Sequence, residues 1–259
     1  MKILFIWDVA GVSCINAKWL RRLGHEVTVI SRTKLDDLHF LDFYGETSLD
    51  IEGPNFDIKA HYMASDYDII HVNCIPYIAA RIKRSYPNKK VVLQYHGSDA
   101  RTTTLGSRIE YEHIVDAVIV STRDLMDHVD LKKPVTHIPN PIDIEHFKPS
   151  EHNTGAVFIK AQYYHLPTCI PFDYTVRDRA LHPLLYSEMP EFFKGFDTYV
   201  DIKNYEGKGP INAPSKTSLE ALATGMRVYS YERKYLKGLP PEHNPNNTVK
   251  LLEELYKSI

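Results

Sequence analysis

Residues 1–32 read MKILFIWDVAGVSCINAKWLRRLGHEVTVISR. Lys2 to Trp7 form an apolar run bounded by Asp8 and Gly11. Residues 15–23 then carry apolar side chains at helical spacing and stop at Gly24, and residues 26–30 form a second apolar run. A short buried strand, a glycine-containing turn, an amphipathic helix and a second strand make a βαβ unit, which implies a parallel sheet. The opening run is too short and too poor in small residues for a signal peptide, and it reads as a first strand.

The same rhythm continues. Strands are expected at 68–72, 91–95, 117–120 and, more weakly, 135–138, with helices at 76–85, 107–115 and 123–129. Continuous apolar strands separated by helices belong to a parallel sheet covered on both faces. Residues 33–64 break the pattern with aromatic residues among polar ones and Gly53-Pro54, and they read either as a substrate-contacting excursion or as an irregular connection. Asn140-Pro141 and Lys148-Pro149 mark a linker. Strands then resume at 156–160, 198–202 and 227–231, with helices at 189–194 and 248–258.

Bulk properties exclude several classes. A net charge of -2 argues against a nucleic-acid binder. No apolar run approaches the roughly 18 to 20 residues needed to cross a bilayer. Cys14, Cys74 and Cys169 are odd in number and far apart, which suits reduced thiols in a cytoplasmic protein better than a zinc site. The 13 histidines include no His-Glu-x-x-His spacing, so no metal is expected.

Residues 214–225, PSKTSLEALATG, run from a hydroxyl-rich turn into a helix that Gly225 stops. The first turn of a helix presents unpaired N–H groups and partial positive charge, which suits a phosphate. Glu220 lies close enough to accept from a sugar hydroxyl. Taken alone, the segment reads equally as a capped helix with a surface glutamate.

Six segments in order resemble the retaining family 4 glycosyltransferases of the two-Rossmann-domain (GT-B) type. They are residues 1–32, YDIIHVN (67–73), VVLQYHGSDAR (91–101), AVIVST (117–122), HIPNPIDIEHFKP (137–149) and SKTSLEALATGMRV (215–228). The resemblance implies an α/β protein of two Rossmann-like parallel-sheet domains facing a cleft. Residues 1–149 would form the acceptor-side domain. Residues 150–259 would form a reduced donor domain, closed by the helix at 248–258. The implied activity is transfer of a hexosyl group, with retention, from a nucleotide-diphosphate sugar to a carbohydrate or lipid-linked acceptor. Neither a metal nor another cofactor would take part.

The chain departs from the family pattern in its second half. The glutamate expected eight positions before Glu220 is Asn212, and the usual phosphate-gripping segment has no clear counterpart. A non-catalytic nucleotide-sugar-binding relative and a nucleotide-sugar epimerase therefore stand as alternatives.

His96 follows a strand, and ligands of open α/β sheets bind at strand carboxyl ends. The resemblance implies that His96 touches the donor sugar; otherwise it caps its own loop. Glu206 is the candidate to replace the missing carboxylate. Asp99 and Arg101 orient the loop, contact the acceptor, or pair with each other. Gly11 and Val12 lie in a loop that the resemblance places near the acceptor, though a plain tight turn explains them as well. Lys216 is the first choice for the diphosphate, with Arg177, Arg179 and Lys203 behind it; each reads also as a solvated surface charge. Glu220 would grip the ribose, and Ser215, Thr217 and Ser218 would offer hydroxyl or N–H groups. Arg81, Lys83, Arg84, Lys89 and Lys90 form a basic cluster that suits either a solvated helix end or weak peripheral contact with an anionic membrane.

Overall fold

Ile3, Leu4, Phe5 and Ile6 have no solvent exposure, as a strand covered on both faces requires. They form β1 (Lys2–Ile6), an inner strand of the first sheet, paired on both sides. The structure is a computed structural model and describes residues 1–101, 108–129, 135–161, 164–205, 209–211 and 213–259. Met1–Pro141 together with Pro245–Ile259 make one compact unit, and Ile142–Asn244 make the other.

In the first unit α1 (Val12–Arg22), β2 (Glu26–Arg32), α2 (Phe40–Tyr44), β3 (Thr47–Leu49) and α3 (Gly53–Met63) follow β1. Then come β4 (Ile69–Asn73), α4 (Pro76–Ser85), β5 (Lys90–Tyr95), α5 (Ser98–Arg101), α6 (Ile109–Glu112), β6 (Ala117–Val120) and β7 (Val135–His137). The strands form a seven-stranded sheet in the order β3-β2-β1-β4-β5-β6-β7. Every pairing in it is parallel. The order reverses between β1 and β4, so their carboxyl ends open the crevice where such sheets take ligands.

Residues 33–64 are more regular than expected. β3 extends the sheet beside β2. Gly53-Pro54 starts α3 instead of breaking the chain, because proline is tolerated in the first helical turn. Phe56, Ala60 and Ala64 recur every fourth residue and are fully buried in the main core. The helix expected at 123–129 is a 3₁₀ helix, Arg123–His128. The one expected at 107–115 narrows to α6, and Ser107 lies outside the described residues.

The second unit contains β8 (Ala156–Lys160), β9 (Tyr164–His165), β10 (Thr175–Asp178), α7 (Met189–Lys194) and β11 (Thr198–Asp201). β12 (Asn204–Tyr205), β13 (Gly209–Pro210), α8 (Lys216–Thr224), β14 (Arg227–Ser230) and β15 (Tyr235–Lys237) complete it. Its main sheet runs β10-β8-β11-β14-β15, parallel except for the last pair. β13-β12-β9 form a small antiparallel sheet. The Ile142 N–H donates to the His243 carbonyl at 3.0 Å, which pairs the unit's entry and exit segments.

The last helix, α9 (Pro245–Ser258), belongs to the first unit and not to the second half where the sequence reading put it. Val249, Leu252 and Tyr256 line its buried face at helical spacing. Glu253 meets His25 at 3.0 Å, and Lys90 Nζ donates to the Tyr256 carbonyl at 3.2 Å. Leu252→Ala removes a fully buried side chain. It is expected to cost about 2–5 kcal/mol. Hydrogen exchange should then show lost protection in β1 and β4 but not in β8 and β11.

Candidate functional site

Asp8 shapes the first loop. Its carboxylate accepts from the N–H groups of Gly11 at 2.6 Å, Ser13 at 2.8 Å and Cys14 at 3.2 Å, which satisfies the start of α1. Gly11 has φ 79°, and a Cβ there would sit 2.4 Å from the Phe40 ring. The turn and the Phe40 ring therefore both call for glycine at this position. Val12 is 1% exposed and its N–H donates to the Val9 carbonyl, so its side chain is buried.

Two residues just past strand ends carry left-handed backbone, Trp7 at φ 74° after β1 and Cys74 at φ 62° after β4. Such conformations cost about 1–3 kcal/mol each and cluster at functional sites. Here the strained turn aims the Trp7 carbonyl at two donors, Asn73 Nδ2 at 2.9 Å and Ser13 Oγ at 3.1 Å. Burial pushes the Cys74 thiol up, so it acts as a small apolar group.

His96 follows β5 and is half-buried. Its Nε2 lies 2.7 Å from Asn73 Oδ1. Its Nδ1 lies 2.9 Å from Ser121 Oγ and 3.2 Å from Asn140 Oδ1. The Asn73 amide nitrogen is fixed by the Trp7 carbonyl, so Oδ1 faces the ring and Nε2 carries a hydrogen. Burial lowers the His96 pKa, against the pull of Asp99 and the Asn140 hydrogen bond. A neutral ring with Nε2–H results.

Asp99 and Arg101 hold this loop, and they do not pair with each other. Asp99 accepts from the N–H of His96 at 2.9 Å and of Gly97 at 2.5 Å. Arg101 Nε donates to Asp124 at 2.7 Å and Nη2 donates to Thr122 at 3.2 Å.

Beneath His96 lies a second imidazole, His71, fully buried in β4. Its Nδ1 is 2.6 Å from the Tyr256 hydroxyl and its Nε2 is 2.8 Å from Gln94 Oε1. Burial pushes its pKa down to about 3, with the neighbouring His96 as the next cause.

In the second unit Ser215 caps α8. Its Oγ accepts from the Ser218 N–H at 3.1 Å, and the Ser218 hydroxyl donates back to the Ser215 carbonyl at 2.8 Å. The hydroxyls of both serines and the Ser218 N–H, which were expected to meet a ligand, are thus engaged within the cap. Thr217 stays half-buried in the first turn. Lys216 and Glu220 form an ion pair one turn apart, and the Lys216 ammonium sits 5.2 Å from the Tyr186 ring centre.

Asp201, at the end of β11, accepts from the Ser215 N–H at 2.9 Å and meets Lys203 at 3.6 Å. Arg179 follows β10 at the same end of the sheet. These cations gather at the carboxyl ends of the strands and the start of α8. Arg177 does not join them: its Nη2 donates to the Pro183 carbonyl at 3.4 Å and its guanidinium lies 5.8 Å from the Phe192 ring of α7. Glu206 and Asn212 lie outside the described residues.

The basic cluster is partly internal. Lys83 pairs with Asp116 at 2.8 Å, and Lys90 reaches α9. Asp66-Tyr67-Asp68, an Asp-x-Asp spacing, lies before β4 at the opposite end of the sheet from His96, where Asp68 accepts from the Lys2 N–H at 2.8 Å. Among the described residues no cluster of three His, Cys, Asp or Glu side chains is arranged to hold a metal, and no helix is long and apolar enough to cross a membrane.

Two Rossmann-like units with polar groups at their strand carboxyl ends define a GT-B protein. The solved structure of Anabaena Alr3699/HepE, in complex with UDP, is similar over 98% of this chain and 90% of its own, at 14% identity and a TM-score of 0.58. That likeness establishes the shared fold. The spinosyn forosaminyltransferase SpnP aligns over 99% of this chain and 90% of its own at 12% identity, with a TM-score of 0.49. Acinetobacter baumannii MurG aligns over 100% and 87% at 10% identity, with a TM-score of 0.45. No curated protein matches the chain. The model of glycosyltransferase family 4 matches residues 16–146, just over half of the sequence. The chain belongs to glycosyltransferase family 4, and its role is glycosyl transfer.

Sequence reasoning missed Asp8, His71, Asn73, Gln94, Ser121 and Asp201 as parts of these sites. A signal existed for two of them: His71 and Gln94 are polar residues inside otherwise apolar strands. His71 also generates a prediction. Its folded-state pKa lies below its unfolded value of about 6.5, so only the unfolded chain takes up the proton. Stability is then complete above about pH 6.5 and falls as pH drops toward about 3, by about 1.4 kcal/mol per pH unit. Denaturant titrations between about pH 6 and about pH 5 should show this slope, and His71→Gln should reduce it by one proton.

Proposed function

We propose that the protein transfers a hexosyl group from a nucleotide-diphosphate sugar to an acceptor hydroxyl, with retention of configuration and without a metal or other cofactor. The observation that carries this reading is the grouping of the Lys216–Glu220 pair, Lys203 and Arg179 at the strand ends and helix start of the second unit. A helix start with adjacent cations suits a diphosphate. The UDP bound to HepE is in keeping with a nucleotide ligand.

Each group then has a task. The N–H groups of Lys216 and Thr217 in the first turn of α8 take phosphate oxygens. Lys216, Lys203 and Arg179 offset the charge that grows on the leaving diphosphate, which is where preorganised positive charge lowers a barrier most. Lys216 meets Oε1 of Glu220. The second carboxylate oxygen is left to the ribose hydroxyls, since a carboxylate accepts at both oxygens.

The first unit is the acceptor-side half, and it carries His96. The neutral His96 ring, held by Asn73 and Ser121, faces the sugar undergoing transfer and fixes its orientation. Its loop is fixed by Asp99 and by the Arg101–Asp124 pair, so orientation supplies much of the rate enhancement. A carbohydrate or lipid-linked acceptor fits this role, and peripheral contact through the exposed part of the basic cluster fits a lipid-linked one. A cytoplasmic site of action is where nucleotide sugars would be met.

Calorimetry with UDP, GDP and ADP tests the donor half. One of them should bind, and Glu220→Gln should weaken it by about tenfold to a hundredfold, the loss of one charged hydrogen bond. Absence of binding by all three would sink the reading. His96→Ala should keep nucleotide affinity and lose sugar transfer, and unchanged turnover would remove His96 from the mechanism.

A further inference from the structure

A continuous chain of hydrogen bonds runs through the first unit from α9 to the loop after β1. Among the described residues the buried Tyr256 hydroxyl meets one partner, His71 Nδ1, at 2.6 Å. A buried phenol has one hydrogen to place, so it donates and Nδ1 accepts. His71 is neutral, so its hydrogen sits on Nε2 and is given to Gln94 Oε1 at 2.8 Å. That fixes the Gln94 amide, whose Nε2 donates to Ser121 Oγ at 3.1 Å. The Ser121 hydroxyl has two places for its own hydrogen, the Tyr95 carbonyl at 2.9 Å and His96 Nδ1 at 2.9 Å. On the far side His96 Nε2 donates to Asn73, and Asn73 donates to the Trp7 carbonyl and to Ser13 Oγ at 3.0 Å.

We propose that Tyr256 is a positioning residue for His96: its hydroxyl sets the direction of this chain and so decides whether Ser121 offers its hydrogen to His96 Nδ1. The proposal rests on the reading that His96 acts on the transferred sugar. With the chain running from Tyr256, the Gln94 amide donates to Ser121, and the serine hydroxyl is free to turn its hydrogen to His96 Nδ1. If the chain ran the other way, Gln94 would present Oε1 to Ser121 and capture that hydrogen. His96 Nδ1 would then lose its one donor and meet only acceptors, Ser121 Oγ and Asn140 Oδ1, while Nε2 meets Asn73, which favours the protonated ring. Among titratable and charged groups, Asp99 from α5 acts on His96, Cys74 after β4 lies against the His96 backbone, the two imidazoles act on each other, and Tyr256 bonds to His71; Asp8 acts on Cys74, and Arg101 lies beside Gly97.

Tyr256→Phe keeps the ring and its packing but removes the donor. Both His71 tautomers then become accessible, and Gln94 turns over in part of the molecules. Nitrogen NMR of ¹⁵N-histidine-labelled full-length protein reads this directly. Signals are assigned with His71→Gln and His96→Asn. Wild-type His71 should show a single Nε2–H form, and Tyr256→Phe should shift it toward an average of two forms. The His96 pKa should rise by about half to one pH unit, the value of one hydrogen bond. Gln94→Met cuts the chain midway and should move His96 in the same way.

In the transfer assay Tyr256→Phe should lower kcat by about threefold to tenfold, leave the donor KM unchanged, and move the pH profile with the NMR titration. Unchanged His96 signals and titration in both variants, with circular dichroism showing an intact fold, would overturn the proposal. A shift in Gln94→Met alone would overturn the role of Tyr256. Wild-type turnover in His96→Asn would sink the role of His96 in transfer while leaving the NMR coupling standing, so the two readings fail separately.

Discussion

A buried imidazole must satisfy both ring nitrogens, and His71 imposes that demand in the middle of the central sheet. With no exposure and a pKa pushed down to about 3, it stays neutral and needs one donor and one acceptor. Gln94, on the neighbouring strand β5, supplies the acceptor. The donor comes from Tyr256, 185 residues further along the chain. Leaving a buried polar group without its partner costs about 1–3 kcal/mol, so α9 is anchored in the first unit by polar chemistry as well as by its apolar face. The same bonds fix Ser121 and, through it, His96.

The two candidate half-sites are built by different means. Around His96 nearly every polar group already has a protein partner, and the strained Trp7 and Cys74 turns are part of that arrangement. This suits a group that must hold one orientation. In the second unit the polar groups are mainly opposite charges at the ends of strands and the start of α8. Lys216 with Glu220 and Lys203 with Asp201 are pairs that a phosphate can rearrange, because a lysine ammonium is a compact charge on a flexible stem.

The sheet of the first unit was legible because each strand is a continuous apolar run and each helix keeps its spacing. The 33–64 region was misread because Gly53-Pro54 marks a loop and a helix start equally well; only the packing of Phe56, Ala60 and Ala64 decides. The position of His96 at a strand end was visible, but its partners Asn73 and Ser121 come from β4 and the end of β6, and parallel-sheet register cannot be read from spacing. Asp99 and Arg101 are neighbours in sequence, which suggested mutual pairing, yet the loop turns them to different partners. Arg177 and Arg179 are two apart in an obscure segment, and only the fold separates the one that packs on α7 from the one at the strand end. The membership of α9 was invisible for the same reason: its amphipathic pattern says that one face is buried, not against what.

The pairing of Ile142 with His243 makes the second unit an insertion that leaves the first unit and returns to it through adjacent strands of chain. During synthesis the first unit emerges early but lacks α9 until residues 245–259 follow. The second unit has both of its ends by then. Closing the loop between residues 141 and 245 is then cheap, because a folded insert with adjacent ends spares the chain the entropy of bringing distant segments together. The hydrogen-bond chain that orients His96 therefore waits for α9, which lies beyond the whole second unit in sequence.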